Sequence, residues 1–172
     1  ACRGGDGRGG DGTVALAAAS VCKDGCYLAY AAAASGSDWV EIRVVDTATG
    51  QLTEDRINWV KNSGAQWAPD SEGFYYSAYD APKGGVYSEQ NQFQKIYYHR
   101  IGTPQSADRL VYEDPAHPLR YFWAWPSEDG EWLFVLASDG TPGKEELFRT
   151  SSGERLRTLR PGFDADSGVV TG

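Results

Sequence analysis

Three short aromatic-rich runs set the rhythm of the chain. Each follows a polar pair and a glycine. Lys23-Asp24-Gly25 precedes Cys26-Tyr27-Leu28-Ala29-Tyr30, Ser71-Glu72-Gly73 precedes Phe74-Tyr75-Tyr76-Ser77-Ala78, and Glu128-Asp129-Gly130 precedes Glu131-Trp132-Leu133-Phe134-Val135. Glycine after an acidic or polar residue signals a tight turn, because it reaches positive φ without steric cost. The runs that follow have strand composition. A strand is also predicted before each turn, at Val14–Val21, Gly64–Ala68 and Tyr121–Trp125. Third strands follow at Val40–Val45, Lys95–His99 and Glu146–Arg149, and fourth strands at Leu52–Ile57, Arg109–Tyr112 and Arg155–Leu159. No segment holds a 3.6-residue apolar period through ten residues, which excludes helices of ordinary length. Ala31–Ala34 has helix propensity, but four residues continuing a strand should yield to their tertiary context.

Four antiparallel strands repeated at roughly 40–50 residues is the spacing of β-propeller blades. The chain therefore reads as all-β, a partial propeller of about three blades. Blades are expected at 13–60, 61–113 and 114–162, the middle one carrying a long polar loop at 80–94. A Gly-rich leader, 1–12, and a tail, 163–172, are expected to be disordered. Three blades do not close a ring. Two apolar blade faces should then be bare, which marks a fragment or a partner surface.

Aromatic residues make up 13% of the 172 residues, with ten Tyr and six Trp, a composition suited to half-buried pleated sheets. The formal net charge of −8 and the scattered basic residues exclude a phosphate backbone as partner. No run approaches the ~20 apolar residues that span a bilayer, so no membrane partner is expected. Cys2, Cys22 and Cys26 are too few for a disulfide framework in a chain of this size, and Cys22 and Cys26 are expected as free thiols. The two histidines, His99 and His117, lie too far along the chain to complete a zinc site with them. No metal and no cofactor are expected.

A serine hydrolase of the α/β class needs a Gly-x-Ser-x-Gly elbow, and the chain has none. His99, in an aromatic strand, reads as a structural, hydrogen-bonded histidine. His117, between prolines, reads as exposed. Asp24, Asp70 and Asp129 recur near each blade turn, and recurrence favours a role in the turn over glycosidase-type catalysis. No catalytic residue is assigned.

The same residues carry a family resemblance. Asp11-Gly12-Thr13-Val14-Ala15-Leu16, Lys23-Asp24-Gly25, Ser35-Gly36-Ser37-Asp38-Trp39, Ala68-Pro69-Asp70 and Lys95-Ile96-Tyr97-Tyr98-His99 with Gly102-Thr103 resemble the early propeller of prolyl oligopeptidases. The likeness runs from about Asp11 to Gly162. It implies a share of a seven-bladed propeller that caps an α/β-hydrolase domain, in a serine peptidase that cuts short peptides after proline. The propeller's role would be gating, a filter for substrate size. The partners implied are the catalytic domain and remaining blades, both absent from this chain, and short proline-containing peptides. No peptidase activity is expected from the chain alone. The family's peptide-facing positions fall near Asn62, Tyr121 and the loop Ser138–Thr141, so Asn62, Tyr121 and Thr141 are the candidate substrate-lining residues. Asn62 stands where the family often has a bulky apolar side chain, and Ser138 where it has a basic one. A cytoplasmic location is implied, with the periplasm as the alternative. The competing reading is a stand-alone propeller-like module that binds peptides or proteins.

Overall fold

The computed structural model describes residues 14–34, 36–82, 91–140, 145–150 and 157–160. The expected disordered ends, 1–12 and 163–172, lie outside these residues, as does 83–90 of the long loop. Twelve strands run through the described residues, with one 3-10 turn at Gln105–Ala107. β1 (Val14–Val21), β2 (Tyr27–Ala34), β3 (Val40–Asp46) and β4 (Leu52–Val60) pair in order as an antiparallel meander. β5 (Gln66–Trp67), β6 (Gly73–Ala78), β7 (Lys95–Arg100) and β8 (Arg109–Tyr112) form the second. β9 (Tyr121–Pro126), β10 (Leu133–Ser138), β11 (Glu145–Thr150) and β12 (Arg157–Arg160) form the third, a separate four-stranded sheet. Ala31–Ala34 is strand, paired with β1 and β3.

The first two meanders join at one residue pair, Val60 opposite Ala78. The entering strand β5 is only two residues long and covers Phe74 and Tyr75, so the end of β4 covers the rest of β6. That single bridge makes two blades one continuous hydrogen-bonded sheet, a departure from fully separate sheets. The architecture is a partial β-propeller.

Strand β6 explains the cohesion. Its side chains alternate between faces, as period-two geometry requires. Phe74, Tyr76 and Ala78 pack with Ile42, Val44 and Ile57 of the first blade. Tyr75, on the other face, packs against the cluster of Ile96, Phe122, Ala124 and Val135 that joins the second blade to the third. A strand buried on both faces reads as a near-continuous apolar run, here Phe74–Ala78 with Ser77 as its one aliphatic hydroxyl. Each fully buried Phe or Ile contributes about 1.5–3 kcal/mol by removal from water. Among the described residues, apolar side chains are exposed on the outer strands of the first and third blades. Leu16 and Val21 are exposed on β1, and Trp125 of β9, about one-third exposed, stacks on Phe134 of β10.

The turn into the second strand of each blade follows one local rule, with a correction to its register. Asp24 Oδ1 accepts the Cys26 N–H, Asp70 Oδ1 the Glu72 N–H, and Asp129 Oδ1 the Glu131 N–H. The carboxylates are turn-formers, each bonding the backbone two residues on. Gly25 and Gly130 occupy the positive-φ position between them, at +79° and +75°. In the middle blade that position belongs to Ser71, at +61°, and not to Gly73. Gly73 lies within β6, where a Cβ would stand 2.2 Å from the His99 carbonyl oxygen. It is glycine because two strands approach closely there. Cys22 and Ser127 are equivalent in these turns. Cys22 Sγ–H donates to Asp24 and Sγ accepts the Tyr27 N–H, as Ser127 Oγ–H donates to Asp129 and Oγ accepts the Trp132 N–H. Cys22 is a buried free thiol and Cys26 an exposed one. Asp24, holding bonds from Cys22 and the Cys26 N–H, titrates below the usual carboxylate range, and its hydrogen bond to Cys26 pushes that thiol up.

Candidate functional site

Antiparallel meanders send alternate connections to the same end of a sheet. The end of β4, the end of β6, the start of β7, the start of β9 and the end of β10 therefore gather at one end. Two of the three sequence-predicted residues, Asn62 and Tyr121, meet there through Trp123. Its indole N–H donates to the Asn62 carbonyl at 3.0 Å, and its ring lies 6.4 Å from the Tyr121 ring. Asn62 is in the left-handed region, at φ +53°, so the chain bends sharply and leaves this residue exposed. Tyr121 is half-buried, its ring edge facing Gly140. Thr141 lies outside the described residues. Ser138, at the root of its loop, is buried, and its Oγ accepts the Gly140 N–H.

An aromatic cluster continues this surface. Trp39 packs edge-on against Trp59 at 5.7 Å and Tyr79 at 5.8 Å, and Lys61 Nζ sits 5.2 Å from the Trp39 ring centre. Burial pushes the Tyr79 hydroxyl up to about 12, with the neighbouring Tyr121 adding to it. Tyr79 is buried beneath the partly exposed Trp39 and Trp59, and the largely buried Lys61 ammonium also pairs with Asp38 at 3.6 Å.

Beneath it, two buried polar devices set how the blades sit. Gln94 joins the Lys61 carbonyl to the Phe122 N–H. His99, fully buried on β7, lies between two carboxylates: Nε2 is 2.8 Å from Asp55 on β4, and Nδ1 is 2.7 Å from Asp108, just before β8. Carboxylates only accept, so both ring nitrogens carry hydrogen and the imidazole is charged. Burial alone would lower its pKa, but the bonds to Asp108 and Asp55 prevail and raise it to about 9. Burial alone would raise Asp55, but bonds from His99, Thr53 and the Gly102 N–H hold it below the usual range. Asp108 also accepts from the Tyr76 hydroxyl at 2.5 Å. Asp55 belongs to the first blade and His99 to the second, so the network clamps the two together.

Chemically, this arrangement fixes one blade against the next. Both His99 nitrogens are held by carboxylates, so neither can take a proton from a serine. His117 Nδ1–H donates to Asp114 at 2.8 Å, on a half-exposed side chain. Among the described residues no cluster of three His, Cys, Asp or Glu could hold a metal. No described helix is long and apolar enough to cross a membrane. Sequence reading anticipated His99 as structural but missed Asp55, Asp108 and Gln94. Asp55 alone left a signal, a carboxylate at an inward-facing strand position, since Asp108 and Gln94 lie in polar connecting segments.

Residues 6–172 match the family described as prolyl oligopeptidase, N-terminal β-propeller domain. The prolyl endopeptidase of Elizabethkingia meningoseptica is 40% identical over 161 residues, covering 92% of this chain and 23% of that protein. Prolyl oligopeptidase A of Amanita bisporigera is 36% identical over 164 residues, 84% of this chain and 21% of that protein. Among solved structures, prolyl oligopeptidase B from Galerina marginata bound to a 35mer hydrolysis and macrocyclization substrate superposes with a TM-score of 0.78 at 27% identity, over 92% of this chain and 24% of that one. The chain thus spans about a quarter of the length of the relatives it matches. Match, identity and superposition agree with the strand order derived above: the chain belongs to the prolyl oligopeptidase family and corresponds to its N-terminal β-propeller domain.

Proposed function

We propose that this chain serves as propeller in a serine peptidase of the prolyl oligopeptidase type, which cleaves short peptides after proline. Its blades are taken as 13–60, 61–113 and 114–162. It packs on an α/β-hydrolase catalytic domain and further blades, admits extended peptides and excludes folded proteins by size. Asn62, Tyr121 and Thr141 line the peptide's path, and the chain contributes no catalytic residue. The enzyme would act in the cytoplasm. The observation that carries this reading is the joining of Asn62, Trp123 and Tyr121 from consecutive blades at one end of the sheets, beside the partly exposed Trp39 and Trp59.

A chimera tests it. Residues 14–160 replace the matching segment of the Elizabethkingia meningoseptica prolyl endopeptidase. The chimera should cleave a proline-linked fluorogenic peptide, lose that activity to a serine-directed inhibitor, and leave a folded protein rich in exposed proline uncut. A folded chimera that cuts no peptide, or that digests the folded protein, overturns the proposal. The chain alone should give no turnover.

A further inference from the structure

Gln94 stands immediately before β7 and is 1% exposed. Its Nε2–H donates to the Lys61 carbonyl at 3.0 Å, and its Oε1 accepts the Phe122 N–H at 2.7 Å. Those two backbone groups enter different blades. Each adjoins a residue of the proposed peptide path: Lys61 precedes Asn62, and Phe122 follows Tyr121. Phe122 is held on its other side too, since Ser77 Oγ–H donates to its carbonyl at 2.6 Å. Ser77 in turn gives its N–H to Ser63 Oγ at 2.9 Å, one residue beyond Asn62. The strand start at Tyr121–Trp123 and the bend at Lys61–Ser63 are therefore referenced to the same two residues, Gln94 through its amide and Ser77 through its hydroxyl and its backbone N–H.

The head group matters. One flat group must offer a donor on one edge and an acceptor on the other, which a primary amide does. A carboxylate of the same shape offers two acceptors and would set one against the Lys61 carbonyl. An apolar side chain would leave both backbone groups buried and unpaired. We infer that Gln94 is a positioning residue that fixes the separation and orientation of Asn62 and Tyr121 across the blade boundary, and so the affinity of the peptide path. The peptide part of this inference rests on the function proposed above. The positioning part does not.

The test uses Gln94→Glu in the whole chain, with two readouts. The first is the indole N–H resonance of Trp123, assigned with Trp123→Phe, which reports the bond to the Asn62 carbonyl. The second is the affinity for a ten-residue proline-containing peptide. Burial beside a carbonyl raises a carboxyl's pKa toward about 8–9, so the variant is titrated from about pH 5 to 9.5; once ionised, its carboxylate should displace the Trp123 resonance and weaken peptide binding about tenfold. Protonation restores a donor, so at pH 5 both readouts should return to wild-type values. Wild type at both pH values controls for Lys61, Lys95, Asp80 and the His99 network. The Trp67 indole, bonded to the Ser20 carbonyl on β1, should not move at either pH. A residue that only stabilises the fold would show no such acid-driven return. A Trp123 resonance unmoved throughout that titration, or a displaced one that stays displaced at pH 5, overturns the inference. If wild type binds no peptide, the proposed function fails while the Trp123 resonance still decides the role of Gln94. Should Gln94→Glu fold poorly, Gln94→Asn, one methylene shorter, is expected to reach one backbone partner and displace the resonance at both pH values. An unmoved resonance there overturns the inference equally.

Discussion

Raising pH through the His99 titration should loosen the clamp between the first two blades. The imidazolium is fully buried and donates to Asp55 and Asp108, and its pKa rises from 6.5 to about 9 in the folded chain. A raised folded pKa means that the contribution is complete below pH 6.5, shrinks as the pH climbs, and is gone once the pH has passed about 9. At ~1.4 kcal/mol per pH unit, the interval corresponds to about 3 kcal/mol of folding stability. Asp55 acts at the other end of the scale. Its folded pKa is depressed, so its contribution is present above the ordinary value of 3.8 and is lost as the pH falls below it. Tyr79 and Tyr98, each pushed up to about 12, enter only above pH 10, where the unfolded phenols ionise. Denaturant unfolding between pH 6 and 9.5 in a Cys26→Ser background, which removes the raised thiol that would otherwise titrate near the top of the window, therefore reads His99. Stability should fall by about 3 kcal/mol across that window. His99→Gln removes the charge between two buried carboxylates and should cost about 3–5 kcal/mol at pH 6.5. Its profile across the window should be nearly flat. A wild-type profile that is flat from pH 6 to 9.5, or a His99→Gln profile with the wild-type slope, would refute the assignment of a charged imidazole to this site.

Other perturbations separate positions that look alike in sequence. Gly25→Ala should cost about 1 kcal/mol, because its φ is +79° but nothing lies within 4 Å of the added methyl. Gly73→Ala should cost more than about 3 kcal/mol by thermal or chemical unfolding, since the methyl meets the His99 carbonyl; equal costs would contradict the turn register described here. Cys22→Ser should be neutral to within about 0.5 kcal/mol because a hydroxyl can repeat both bonds, as Ser127 does, whereas Ser127→Ala should cost about 1 kcal/mol in chemical denaturation. The Cys26 thiol, exposed yet raised by Asp24, should react with a disulfide reagent at pH 8 more slowly than free cysteine, and Asp24→Asn should speed it; an unchanged rate removes Asp24 as the cause.

The strands were legible because each obeys a local rule. Tyr27–Ala34, Val40–Asp46 and Tyr121–Pro126 alternate or run apolar at the scale of a single pleat, and neighbours in sequence are neighbours in the sheet. The middle turn misled for a reason in the same physics. Glycine serves both positive φ and close strand approach, and sequence does not say which. Gly73 serves the second, and Ser71 holds the bend, its hydroxyl accepting the Asp24 N–H of the preceding blade at 3.1 Å. That cross-blade bond offsets the strain of a non-glycine residue at φ +61°.

The contacts between blades were not legible, because their partners are separated by dozens of residues. His99 is 44 positions from Asp55, and Ser77 is 45 from Phe122. No local period encodes such pairs. Yet each leaves the same trace: a polar residue at a place where alternation calls for an apolar one. Asp55 interrupts β4, His99 is the last buried residue of the aromatic strand β7, and Ser77 sits among the aromatic residues of β6. A buried polar group persists only if it is paired. An inward polar position in a repeat therefore implies a partner in the adjoining repeat, although sequence does not name it. On that logic the apolar faces hold the blades together, while His99, Gln94 and Ser77 select a single arrangement of one blade against the next. Apolar packing tolerates a small sliding of sheet on sheet. A charged imidazole between two carboxylates, or an amide between a carbonyl and an N–H, does not.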